Sequence, residues 1–523
     1  MSLTLKRASP EQLAEGVNPN SLVKARLVIQ DIKALRPTQK VDTYAATPGG
    51  EHFRLMLSGF RPDKGEVASS TDAYQAFLQI PTYEGGLRIL VVFRHPIEKC
   101  HIYVWMLGPA YGQQECAQWW KDHFGFILVH RLGFKECMNA ESVYVGPNTR
   151  VCNHVDDPFA ISDSEDARAA YQESLGACGI QTRGYSVLAP GKPLDFLSQR
   201  ISMDSDNTVR IDNVGKIQKF LREAPMIDCN PETRPITKEL VIRVHTEQQE
   251  GLQATAEDME FVSQAAGKLG WLVQTTHPSG AIAFWFLASN KSKCVPALVD
   301  AAKHVYRWLQ GALWRCLEMV PGQDPGWHIS TDSSWAGMHA LNGDCSSTTG
   351  VFIRHGTLPV KWLFNRQKLT GTNFEEDPVL LELEDGDMDQ DGRDDYIALS
   401  SCEGEGVAAH DGTKIALHLH YVAEEVGVQT SLPLRINVDA GAFISFSQKI
   451  GVGRMKHLDL RSKWVQLVRD RRTVEYVKVP GSENESDYLT KVFGKIESIK
   501  WQDKFTPMMP QALRATLGGE DAA

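Results

Sequence analysis

WHISTDSSWAG, Trp327 to Gly337, reads as a short strand, Trp327 to Thr331, that delivers an aspartate, Asp332, at its end. Ser347 to Ile353 and Val360 to Leu363 are apolar, β-rich runs that continue it as a meander. LSSCEGEGVAAH, Leu399 to His410, opens a helix, because Ala408, Asp411, Ile415, Leu419, Val422 and Val426 recur at helical spacing. That spacing places Glu405 in the first helical turn, with Glu403 as the alternative acid. Leu434 to Val438 is a strand that delivers Asp439 in RINVDAGA, and Val474 to Val479 is another. A helix carrying Asp487 follows, in ENESDYLTK. A meander followed by alternating strands and helices is an α+β pattern.

Asp332, Glu405, Asp439 and Asp487 are hard oxygen ligands drawn from distant parts of the chain. Such a cluster suits a site that holds two divalent cations to cleave a phosphodiester. A second acidic group lies upstream. Ser142 to Val145 and Val151 to Val155 flank the turn residues Gly146, Pro147 and Asn148, which reads as a hairpin. Asp156 and Asp157 follow, and then the apolar run Phe159 to Ile161. Paired acids at a strand–turn–strand tip are costly without a cation beside them.

The order and phrasing of these segments resemble the reverse transcriptase and RNase H region of copia-type LTR retrotransposon polyproteins. STDSSWAG resembles the family's SDADWAG, LSSCEGEG its LSSTEAEY, and ESDYLTK its ADxLTK. MKHLDLRSKWVQ, Met455 to Gln466, resembles TKHIDIRYHFV. Upstream, SLVKARLVIQ (Ser21 to Gln30) resembles KARLVARG, and TDAYQAFLQ around Asp72 resembles MDVKTAFLNG. AYGQQECAQWW (Ala110 to Trp120) resembles LYGLKQAPRAW, and NHVDDPFAIS (Asn153 to Ser162) resembles the YVDD hairpin. PLDFLSQRIS resembles the FLGIxI strand, and KLGWLVQTTHPSGAIAF resembles LLWLxxxTRPDIAFAV. The resemblance covers residues 21 to 495.

What the resemblance implies is a multidomain α+β protein, a right-hand polymerase of fingers, palm and thumb followed by an RNase H-like domain. Residues 1–20 are then a flexible stub, 21–205 fingers and palm, 206–320 thumb and connection, 321–495 the nuclease, and 496–523 a tail. Asp72, Asp156 and Asp157 match the polymerase aspartates. Asp332 would bridge two nuclease ions, with Glu405 and Asp439 on one and Asp487 on the other. Each active site would take two Mg²⁺ or Mn²⁺ ions. Phe77, five residues after Asp72, stands where the family places an aromatic under the incoming sugar. Lys24 and Arg26 are candidates for the triphosphate, while Tyr111 and His154 fall in substrate-side motifs. Lys456, His457 and Arg461 belong to a basic segment between two of the nuclease acids. The implied partners are an RNA template, a DNA primer, an RNA–DNA hybrid and dNTPs, with other polyprotein products as possible associates. The implied setting is a cytoplasmic virus-like particle with access to the nucleus.

The net charge of −10 is unusual for a chain that meets nucleic acid. Its source is local, since residues 374–395 hold eleven acids and one base, Arg393, leaving the remainder formally neutral. DMDQDGRDD within that stretch matches the front half of a calcium loop, but Ala398 stands where a bidentate glutamate belongs. It reads as a solvated acidic insertion beside the nuclease helix. The ten cysteines show no CxxC pair and read as reduced thiols. No apolar run approaches the roughly 20 residues of a membrane span, and no signal-peptide pattern opens the chain.

Several positions depart from the family phrases. His154 replaces the tyrosine before the aspartate pair and Pro158 follows it, while Gln114 and Ala117 replace a base and a proline. These departures, with the acidic insertion, support a second reading in which a non-catalytic remnant keeps the fold and binds nucleic acid at most.

Overall fold

A computed structural model describes residues 2–3, 25–26, 44–81, 89–94, 98–106, 108–224, 226, 228–324, 326–334, 347–367, 400–450 and 460–517. The fold is mixed α+β, in two units: Met1–Gly49 with Gly65–Val187, and Gly50–Lys64 with Leu188–Ala523.

In the first unit, strands β1 (Ser2–Leu3) and β2 (Ala25–Arg26) form a short antiparallel pair. Strand β3 (Val67–Ala73) belongs to a larger sheet, while β4 (Ile89–Arg94) and β5 (His101–Met106) make a hairpin of their own. β6 (Lys135–Glu136), β7 (Val143–Val145), β8 (Thr149–His154), β9 (Asp157–Ser162) and β10 (Thr182–Val187) complete the larger sheet. Its antiparallel order is β10-β3-β9-β8-β7-β6. The hairpin expected around Gly146 to Asn148 is β7–β8, and the apolar run 159–161 lies buried in β9. Helix Cys116–Phe126 packs Trp120 and Phe124 into a core with Tyr144, Val151, Ala160, Tyr171 and Leu175. Burying aromatics of this size supplies most of the favourable free energy for ordering the sheet.

In the second unit, β11 (Leu194–Phe196), β12 (Gln199–Met203), β13 (Val209–Asp212) and β14 (Leu317–Met319) form an antiparallel sheet in sequence order. The helices Ala256–Thr275, Ala281–Asn290 and Pro296–Gly311 lie between β13 and β14 in the chain. Helix Ala256–Thr275 starts at a capping box, in which Thr255 and Asp258 satisfy each other's backbone amides. Leu298, Ala301, Ala302, Val305, Trp308 and Leu309 are all buried in Pro296–Gly311, as their spacing requires of a packing helix.

β15 (Trp327–Ser334), β16 (Thr348–His355), β17 (Leu358–Arg366), β18 (Leu434–Val438) and β19 (Val474–Lys478) build the second sheet of this unit. Its order is β17-β16-β15-β18-β19. The first three strands are an antiparallel meander, and β18 and β19 continue the sheet in parallel. Parallel neighbours require crossovers. Helix Ser401–Glu425 lies in the chain between β17 and β18, and helix Leu460–Asp470 between β18 and β19. Among the described residues, no helix is long and apolar enough to cross a membrane.

Candidate active site

β15 and β18 run parallel, with Ile329 opposite Ile436 and Ser330 opposite Asn437. The same offset carried forward sets Asp332 level with Asp439. Strand pairing alone therefore unites two acids that stand more than a hundred residues apart in sequence. Asp332 lies inside β15 and pairs with Gly350; the strand continues to Ser334 rather than stopping at Thr331. The extra length follows from pairing with β16, which supplies partners through Thr348.

The helix brings the third acid. Ser400 caps Ser401–Glu425 by accepting from the Glu403 amide, so the first turn holds Glu403, and Glu405 is the fifth helical residue. That differs from the sequence expectation by one turn, because the cap sits earlier than the apolar periodicity indicated. Gly404 and Gly412 let this helix approach β15. A Cβ at Gly404 would lie 2.7 Å from Ser333 Oγ, and one at Gly412 would lie 2.3 Å from Thr331 Cγ2. Gln367 pins the approach by donating to the Gly404 carbonyl (2.8 Å) and to Ser333 Oγ (3.1 Å).

Carboxylate oxygens of Asp332, Glu405 and Asp439 all lie within 4.8 Å of one another. Asp332 is 1% exposed and Glu405 6%. Burial, with Asp332 and Asp439 alongside, pushes the Glu405 carboxyl up to about 9, against a backbone hydrogen bond from Ser333. Burial and Asp332 likewise raise Asp439, opposed by Lys491 and Lys478. Glu405 Oε2 is buried without a hydrogen-bond partner. Three carboxylates so crowded resist simultaneous ionisation, and a cation among them removes that penalty. The donor set, all carboxylate oxygen, suits Mg²⁺ or Mn²⁺.

Asp487 lies beside this trio rather than within it. It opens the short helix Asp487–Thr490, which sits over Gly350, the residue facing Asp332. A Cβ at Gly350 would lie 2.6 Å from Thr490 Cγ2 and 3.0 Å from the Ser486 carbonyl. Thr490 donates a hydrogen bond to the Asp332 carboxylate, and Asn484 donates to the Thr331 carbonyl at 3.0 Å. Burial and Asp332 push Asp487 up to about 7, opposed by Lys491. Lys491 Nζ lies 2.7 Å from Asp487 Oδ1 and 3.8 Å from Asp332 Oδ1. Burial works against its charge, but Asp332, Asp487 and Asp439 together raise the Lys491 ammonium above its ordinary pKa. Lys491 closes the ENESDYLTK phrase four residues after Asp487, and that spacing was the available signal for a cation at this site.

The hairpin acids are arranged differently. Val155 and Asp156 form the turn between β8 and β9, with Val155 at φ 52°, a costly value for a β-branched residue. Trp120 Nε1 donates to the Val155 carbonyl at 2.7 Å and holds the turn. The Asp156 carbonyl accepts from the Ala73 amide at 2.8 Å, so it faces β3. By alternation Asp157 faces β8 and Pro158 faces β3. Proline lacks the amide needed there, and the β3–β9 ladder runs only from Val67↔Ser162 to Ser70↔Phe159. Burial, Asp156 and Asp72 push Asp157 up to about 6. His154 pairs across the hairpin with Asp157, and burial lowers its pKa against the pull of Asp156. Asp72, near the end of β3, forms an ion pair with Arg183 of β10 at 3.0 Å. Asp72, Asp156 and Asp157 do not converge as closely as the trio does. Phe77 and Tyr111 meet, their rings 5.2 Å apart and tilted by 53°.

Lys24, Lys456, His457 and the acidic stretch 374–395 lie outside the described residues, and of Arg26 and Arg461 only the backbone is described. Over 486 residues the chain is 24% identical to the "Retrovirus-related Pol polyprotein from transposon TNT 1-94" of Nicotiana tabacum. The chain resembles a copia-type retrotransposon polyprotein. The match covers 90% of this chain and 33% of that relative's length. A foamy viral protease–reverse transcriptase, solved in complex with double-stranded DNA, is 13% identical, with 80% of this chain and 60% of that one covered and a TM-score of 0.20. No family profile matches the chain.

Proposed function

We propose that this chain is a reverse transcriptase with RNase H activity, of retrotransposon origin, and that Asp332, Glu405 and Asp439 form its nuclease centre. The observation that carries this reading is the convergence of three carboxylates from two parallel strands and a helix within 4.8 Å, with Asp332 and Glu405 buried and Asp439 half-buried. Divalent ions bound there supply positive charge that lowers the pKa of an attacking water and offsets the charge growing on the phosphate. Asp332, Glu405 and Asp439 would hold one ion, and Asp487 with Asp332 the other. The residues of the chain do the positioning. Thr490 fixes the rotamer of Asp332, and Gln367 with the two helix glycines sets the height of Glu405. The substrate on this reading is the RNA strand of an RNA–DNA hybrid.

Asp72, Asp156 and Asp157 belong to the polymerase centre, which extends a DNA primer on an RNA template using dNTPs. The Phe77–Tyr111 pair supplies an aromatic wall below the sugar. Residues 21–205 then serve as fingers and palm, 206–320 as thumb and connection, and 321–495 as the RNase H-like domain. Its sheet, a meander extended by two parallel strands, supports that assignment. A cytoplasmic particle with nuclear access is the setting such an enzyme needs.

A second reading has a specific basis in the hairpin. The Arg183 ion pair on Asp72 and the interrupted ladder at Pro158 fit a chain that keeps the nuclease and has lost polymerisation. Purified protein incubated with a labelled hybrid and a primed template, in Mg²⁺ or Mn²⁺ with dNTPs, separates these outcomes. Cleavage and extension together support the full reading, and cleavage alone supports the second. Neither activity leaves a remnant that binds nucleic acid at most.

A further inference from the structure

We propose that Lys491 is the resting counter-ion of the nuclease centre, holding the position between Asp332 and Asp487. The centre therefore takes one divalent ion at Asp332, Glu405 and Asp439 in the absence of nucleic acid, and a second only after Lys491 is displaced. The inference rests on the nuclease reading and adds to it an order of assembly and a residue that sets it.

The geometry separates the two halves of the site. On one side, Glu405 Oε2 is buried without a hydrogen-bond partner, within reach of Asp332 and Asp439. On the other side, Lys491 Nζ already lies 2.7 Å from Asp487 Oδ1 and 3.8 Å from Asp332 Oδ1. A divalent ion binds carboxylate oxygen at about 2.0–2.6 Å. It cannot share Asp487 Oδ1 with an ammonium at hydrogen-bond distance without severe like-charge repulsion, so the two cations compete.

Lys491 is built to yield. Its backbone amide donates to the Asp487 carbonyl at 3.1 Å, which tethers the residue at the end of the short helix. Its side chain remains 42% exposed, on a flexible four-carbon stem that can swing toward water. A substrate phosphate arriving at the centre offers the ammonium a charge-assisted partner. The charge passes from the carboxylates to the phosphate as the second ion enters. Such an exchange restrains full loading of the centre until a nucleic acid is present.

The test counts Mn²⁺ bound to the full chain without nucleic acid, by calorimetric titration and by the electron paramagnetic resonance of free Mn²⁺. Counts are taken as differences from Asp332→Asn, which removes the shared ligand and leaves the other acids of the chain in place. Wild type should exceed Asp332→Asn by one ion, and Lys491→Gln by two, with its second ion bound at least about tenfold more tightly than in wild type. Lys491→Met, which keeps the stem and drops the charge, should match Lys491→Gln, while Lys491→Arg should bind one. A difference of two in wild type, or of one in both Lys491→Gln and Lys491→Met, overturns the proposal and leaves the nuclease reading intact. No difference between wild type and Asp332→Asn overturns both.

Discussion

The two acidic groups of this chain are built to opposite plans. In the proposed nuclease group, Asp332 and Glu405 are buried, their carboxyls crowd one another, and Lys491 lies 3.8 Å from Asp332 as a balancing charge. In the hairpin group, Asp72 is 40% exposed and already paired with Arg183, and Asp156 sits in a two-residue turn. The contrast appears in the proton affinities. Glu405 is pushed up to about 9, whereas Asp157 reaches only about 6. Acids facing water relieve repulsion by solvation, while acids inside a fold need a cation or a proton. The first group is therefore crowded and shielded from water, whereas the second is half exposed and already holds a counter-charge in Arg183.

The sharpest break of this comparison is a pair of isosteric changes. Asp439→Asn should lower hybrid cleavage by more than the roughly 10–100-fold typical of an outer-shell change, with primer extension within about twofold of wild type. Asp156→Asn should do the reverse. Loss of both activities from either change, in a gel assay on labelled substrates, would show that the two groups do not act independently.

Packing around the nuclease acids sharpens the same contrast. Gly350→Ala forces a methyl group against Thr490 and the Ser486 carbonyl. Overpacking of this kind costs about 1–3 kcal/mol. Urea unfolding should show that loss, and cleavage should fall more than extension because the displaced segment carries Thr490 and Asp487.

Proton affinity gives a third test. Folding raises the Glu405 pKa from 4.5 to about 9, so the folded chain retains a proton that the unfolded chain has released. The associated stability is complete below about 4.5 and disappears as pH rises toward 9. In EDTA, Tm should fall across that interval, and Glu405→Gln should flatten the fall. An unchanged slope in the variant would contradict a buried carboxyl of raised pKa.

The smallest effect belongs to the hairpin group. The Asp72–Arg183 pair is half in water, where ion pairs contribute at most about 1 kcal/mol, roughly fivefold in an equilibrium constant. Arg183→Ala should lower the Mg²⁺ needed for half-maximal extension by no more than that factor and leave cleavage untouched. A much larger change would mean that Arg183 holds the polymerase group shut.

Much of the site was legible in linear order. The hairpin with its acid pair, the meander and both parallel strands follow from alternation, apolar runs and turn residues, because those signals are local. Helix Pro296–Gly311 follows from its apolar spacing in the same way. Two details differ from that reading, one through sheet pairing and one through a local helix cap. Asp332 lies within β15 because β16 extends the pairing, and Glu405 falls one turn later because Ser400, rather than the first periodic residue, caps the helix.

What the sequence by itself determined is which acids exist, on which kinds of element, and in what order. Only the tertiary structure decided which of them share a site. The parallel register aligns Asp332 with Asp439, the glycine face lowers Glu405 onto them, and the segment over Gly350 sets Asp487 and Lys491 to one side. The reason is physical: periodicity records which face of an element is buried, whereas the spacing of charges across elements depends on register and close approach, which no single segment encodes.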